Sequence, residues 1–165
     1  MLGIFLYLYK LLATVMDTLG SLVDIKEWPT ALGITMHGYW AQFDGNQTKK
    51  LLENVQVLRN MLRRDRQVYE NEFVKIILLA MEEFDAVRKK CFGLYLDPTY
   101  VAQIREFAYH YLCLVNMLKT VDSVTFNVTL KAHILFCHVA QFLGRQNEAK
   151  AKQDKNWRPK GLGYW

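Results

Sequence analysis

The sequence predicts an all-α fold, an irregular bundle of about five helices. Three observations predict it. Apolar residues recur at helical spacing in each long segment. Residues that start and stop helices stand between those segments, the clearest being Asp97-Pro98 and Gly93. Strand pairs joined by hairpin turns, internal repeats and a glycine-rich phosphate loop are all missing from the pattern. At 165 residues, 52% hydrophobic and 22% charged, the chain carries enough apolar material for a core of its own and is excluded from the disordered class. The expected division is a helical domain over 1–144, then a basic tail over 145–165 that leads into a truncated C-terminal segment.

Each element has its own justification. Leu2, Phe5, Leu6, Tyr9, Leu12, Val15, Met16 and Leu19 form a helical stripe, which makes the N-terminal run a core helix. That run has no basic n-region and is shorter than the ~20 residues needed to cross a bilayer, so it reads neither as a signal peptide nor as a span. A short helical turn ends before Pro29, Gly33 and Gly38 act as breakers after it, and Trp28 and Trp40 pack this segment onto the bundle. Asp44 or Asn46 caps the next helix, whose buried stripe is Leu51, Leu52, Val55, Leu58 and Leu62.

A long helix over Arg66–Phe92 buries Phe73, Ile76, Ile77, Ala80, Phe84 and Val87. Early glutamates and late Arg88, Lys89 and Lys90 match its dipole, and Gly93 stops it. Glu82, Glu83 and Asp85 read as a solvated face. Asp97-Pro98 opens a helix to about Lys119, and Thr120–Val128 reads as a loop. Thr129–Leu143 is apolar nearly all round, which predicts a helix buried inside the bundle.

Net charge is +5, and its distribution says more than its size. Six basic residues against two acidic ones lie between Lys49 and Arg66, and the same balance recurs between Arg145 and Lys160. Two positive patches on a slightly acidic body permit a polyanion as partner, as they permit ordinary solvated charge runs. Cys91, Cys113 and Cys137 are odd in number and sit in helical, apolar contexts, which reads as reduced thiols of an intracellular protein. A Ser/His/Asp arrangement is not visible, and the carboxylates are too scattered for a catalytic constellation.

Four histidines require weighing. His133 and His138 are five residues apart, which on an ideal helix sets them about 140° apart. His133 and Cys137, at i and i+4, are better spaced as ligands from one helix. From spacing alone the favoured reading is buried histidines satisfied by hydrogen bonds, for His37 and His110 as well.

Four pieces of the chain carry a resemblance: Leu2-Gly3 through Tyr9-Lys10-Leu11-Leu12; Phe43-Asp44-Gly45-Asn46 with Lys49-Lys50-Leu51-Leu52; His133 and His138 followed by Val139 and Phe142; and Gly161-Leu162-Gly163-Tyr164-Trp165. In this order they resemble the region between the second and third catalytic carboxylates of RNase H-like, cut-and-paste DNA transposases of the Transib and V(D)J-recombinase type. The resemblance covers nearly the whole chain and rests on order and spacing more than on any single motif.

It implies the insertion-type helical domain of such an enzyme and a transposon-derived fragment, nuclear in location. It implies zinc on His133 and His138, completed in the family by a Cys-x-x-Cys pair that this chain does not contain, so only half the site is present. It implies DNA contact by Asn46, Lys49 and Lys50, to which charge adds Arg63 and Arg64. The carboxylates that hold catalytic magnesium or manganese fall outside the chain, so it is not expected to be an enzyme by itself. DNA is the expected partner of the intact protein, a homodimer is compatible, and neither a small-molecule substrate nor a membrane is expected. Two other readings stand beside this one: a stand-alone helical module that binds protein or nucleic acid, and a small membrane-associated protein held by Leu2–Tyr9.

Overall fold

In the computed structural model the described residues are 2–35, 43–121 and 130–156. Helix is the only regular structure among them, without strands, as the apolar periodicity predicts. The expectations for His37, Gly38, Trp40, the 122–128 part of the loop and the glycine–aromatic segment 161–165 lie outside the described residues.

Helix α1 (Leu2–Thr18) buries Ile4, Phe5, Leu8, Tyr9, Leu12 and Met16 almost completely. At roughly 1.5–3 kcal/mol for each large apolar side chain removed from water, that face is committed to the core. No described helix is long and apolar enough to cross a membrane. Gly20 and Gly33 both have positive φ, 66° and 69°, and end the helical turns before them in a conformation that costs a side chain. Between them, α2 (Glu27–Ala31) contains Pro29, where the sequence predicts a stop before it. The residue stands in the first turn, where its missing N–H has no intrahelical partner to lose. Trp28 is fully buried, stacks on Tyr9 and donates from Nε1 to the Asn54 carbonyl at 3.1 Å.

The expected helix after Phe43 is two short ones, α3 (Gly45–Leu52) and α4 (Val55–Leu62), and the helix expected from Arg66 opens with a separate short one, α5 (Arg66–Tyr69). Asp44, rather than Asn46, is the first cap; it accepts from Gln47 N at 2.7 Å while Gln47 Oε1 accepts from Asp44 N, a reciprocal capping box. Asp65 caps α5 and also accepts from Leu22 N at 2.9 Å, so one buried carboxylate pins the 20–23 turn to a helix start 43 residues later. Helix α6 (Glu72–Phe92) begins after Asn71, whose Oδ1 accepts from both Phe73 N and Val74 N. The expected start at Arg66 is therefore too early, because Asn71 competes for the backbone and breaks the run.

Helix α6 is the central element, packed against α1, α3, α4, α5 and above all α7 (Tyr100–Val121). Asp97 opens the turn into α7 as predicted, accepting from Thr99 N at 2.7 Å. Phe84, Phe107, Tyr111 and Phe136 form a continuous aromatic contact between α6, α7 and the last helical stretch.

That last stretch corrects the expectation of a helix buried all round. It runs as α8 (Leu130–Ile134), a π-turn (Leu135–Val139) and α9 (Ala140–Asn156), continuous across residues 144 and 145. Among the residues of the stretch whose burial is described, Ala132 and Leu135 are buried, Phe136, Val139 and Leu143 are half-buried, and Ile134 and Phe142 are exposed. Among the described residues the stretch packs mainly against α1 and α7. Tyr100 clamps it by donating from its hydroxyl to the Ala140 carbonyl at 3.1 Å, in the room that Gly144 leaves.

Candidate metal centre and basic patch

The π-turn decides where the histidines go. On an α-helix, residues five apart diverge; in a π-turn the repeat lengthens toward i, i+5, and such turns recur at functional sites. His133 and His138 stand together as a result, ring centroids 5.5 Å apart and near perpendicular. Cys137, one turn on from His133, brings Sγ to 3.6 Å from His133 Nδ1. All three side chains are exposed, which corrects the expectation that these histidines are buried. As they stand, no three His, Cys, Asp or Glu donors among the described residues converge on a point that would hold a metal. The pair nonetheless fits zinc in kind: two imidazoles free of the core, able to turn, and a thiol of matching softness beside them.

The fourth histidine behaves differently. His110 Nδ1 lies 2.7 Å from Glu83 Oε1 and 2.9 Å from Oε2, a half-buried histidine satisfied as predicted. Glu83 and Asp85 are buried, not a solvated face. Burial pushes the Glu83 carboxyl above its ordinary range; His110 pulls against that push, and Glu106 and Glu82 add to it. Asp85 is held by Arg88 and Lys89, and Arg88 reaches on to Glu53 at 2.8 Å. Charge patterning alone could not separate these carboxylates from exposed ones, because burial and partners from other helices are set by the tertiary fold.

The basic side chains between Lys49 and Arg66 divide by partner. Arg59 forks onto Glu82 with contacts of 2.6 and 2.9 Å, tying α4 to α6. Arg64 is paired with Glu27 at 2.6 Å and also donates to the Met61 carbonyl. Arg63 lies over the Tyr69 ring at 5.6 Å. Lys49 and Lys50, in the last turn of α3, are exposed and have no ion pair among the described residues, and Asn46 is exposed one turn before them. Of the five predicted nucleic-acid residues, Asn46, Lys49 and Lys50 therefore share one short helix. Arg63 and Arg64 sit at the end of α4, already engaged by an aromatic ring and a carboxylate.

No family model matches the chain, no curated protein is significantly similar to it, and no solved structure matches its fold. The functional reading therefore rests on the residues. The i, i+4 spacing already paired His133 with Cys137; what sequence reasoning missed was the approach of His138 to His133, for which the i, i+5 spacing was the only trace.

Proposed function

We propose that the chain is the helical scaffold of a transposon-derived, DNA transposase-like protein, contributing histidine ligands for zinc and basic side chains for a DNA backbone, without catalysis of its own. The observation that carries this reading is the pairing of His133 and His138 across the π-turn, with ring centroids 5.5 Å apart. A straight helix would separate them, and an exposed histidine pair at the cost of a regular helical turn is hard to account for by packing. Exposed Lys49 and Lys50 support the DNA part, since free ammonium groups contact phosphates without reading sequence.

The zinc part is tested by calorimetric titration of the full chain. The expected result is one zinc per chain, with His133→Ala and His138→Ala each weakening it. A synthetic Cys-x-x-Cys peptide supplied in trans should strengthen binding further and release protons as its thiols ionise. Zinc uptake that neither histidine substitution changes would defeat the reading.

A second reading, a protein-binding helical module, is favoured by a specific feature. Phe92, Leu94 and Tyr95 form an apolar tip after α6 with Leu94 97% and Tyr95 87% exposed, more than solvation alone favours in adjacent residues. Absence of DNA affinity would move the balance to it.

A further inference from the structure

We propose that Cys137 is a third ligand, so that the π-turn is a self-contained Cys–His₂ site for a thiophilic divalent cation of the zinc class. This rests on the same histidines as the functional reading, but it locates the thiolate within the chain instead of in an outside cysteine pair.

Two of the separations match those about a shared tetrahedral ion. With Zn–S near 2.3 Å and Zn–N near 2.05 Å, a tetrahedral S···N edge is about 3.6 Å. Cys137 Sγ and His133 Nδ1 are 3.6 Å apart. Two imidazoles bound to one such ion have centroids about 5.2 Å apart, and those of His133 and His138 are 5.5 Å apart. What is missing is convergence, since the three donors do not yet aim at a common point. All three are exposed, so convergence needs side-chain rotation alone, with no core to repack.

The donor set selects the ion. One thiolate and two imidazoles suit zinc and cobalt(II) and disfavour magnesium and calcium, which take oxygen ligands. Binding replaces the Cys137 S–H bond by an S–metal bond and releases that proton to solvent. The fourth position is left to water or to a donor from another molecule. Because the ligands span the π-turn, the ion would also fix the one irregular turn in the stretch from Leu130 to Asn156.

Cobalt(II) titration of the full reduced chain tests this. The expected result is a thiolate-to-cobalt charge-transfer band that saturates at one metal per chain and is displaced by zinc. Cys137→Ser should abolish the band, while Cys91→Ser and Cys113→Ser keep it. His138→Ala should weaken cobalt binding by more than the roughly 10–100-fold that loss of even a supporting group costs. Circular dichroism should show Cys137→Ser and His138→Ala still folded, since Cys137 and His138 are at the surface. Cobalt bound without a thiolate band, the band appearing only when the Cys-x-x-Cys peptide is added, would overturn the role of Cys137 and leave the split histidine site standing. A band that survives in Cys137→Ser would overturn it as well. No cobalt or zinc uptake with or without the peptide would overturn both.

Discussion

Raising the pH should destabilise this chain through two groups that its core keeps neutral. Tyr9 is 4% exposed, with its ring stacked on Trp28 and edge-on to Phe43 at 5.2 Å. Burial, and then the nearby charge of Asp24, push its phenol from 10.0 to about 12. Burial pushes the Cys91 thiol, 6% exposed at the end of α6, from 9.0 to about 11. In both cases the folded value lies above the unfolded one. The contribution to stability is therefore complete below the unfolded value and is lost as the pH rises toward and through the folded one.

Each shift is worth ~2.7 kcal/mol when fully expressed. Between about pH 8 and about pH 11 linkage removes ~2 kcal/mol through Cys91 and ~1.4 kcal/mol through Tyr9. Together that is a large part of the roughly 5–15 kcal/mol that a domain has to lose. Urea denaturation at several pH values across this window measures it. Tyr9→Phe and Cys91→Ala should each start less stable at neutral pH and lose less on the way up, and the double variant should have the flattest profile. A double variant that declines as steeply as the wild type would refute the claim that burial of these two groups sets the alkaline limit.

Two further substitutions probe single contacts. Asp65→Ala removes both the α5 cap and the acceptor for Leu22 N, so ~2–3 kcal/mol of stability should be lost in urea denaturation; Asp65→Asn, which keeps one acceptor oxygen, should lose roughly half of that. Thr48 is buried with no partner for Oγ1 among the described residues. Thr48→Val keeps the shape, removes the stranded hydroxyl and should raise stability by about 1 kcal/mol, readable as an upward shift of the thermal midpoint.

Much of the fold was legible because its cause is local. The α1 stripe, the burial of Trp28, the Asp44 cap and the Asp97 turn arise from spacing and from short side chains that bond their own backbone. The breaks at Asn54 and Asn71 were harder, since the apolar period continues through them; Asn71 caps the next helix with its side chain, whereas Asn54 has no side-chain cap. Glu83 and Asp85 were misread because burial of a charge depends on partners and neighbours set by tertiary structure, here His110, Arg88 and Lys89. The 130–156 stretch was misread for the converse reason. Apolar composition records what a helix could bury, whereas Ile134 and Phe142 stand exposed. His133 and Cys137 are neighbours by their i, i+4 spacing, but the π-turn has no compositional signature, so the approach of His138 to His133 appears only in three dimensions.

The most direct test of the proposed DNA-contacting role is the salt dependence of duplex binding by the full chain, measured by fluorescence anisotropy on two unrelated sequences. The account predicts binding at low salt that is equal for both duplexes and weakens linearly on a logarithmic plot. Lys49→Ala with Lys50→Ala should reduce the slope by ~1.8 for two lost phosphate contacts, again equally for both. No binding at low salt, or a slope that the double substitution leaves unchanged, would contradict it.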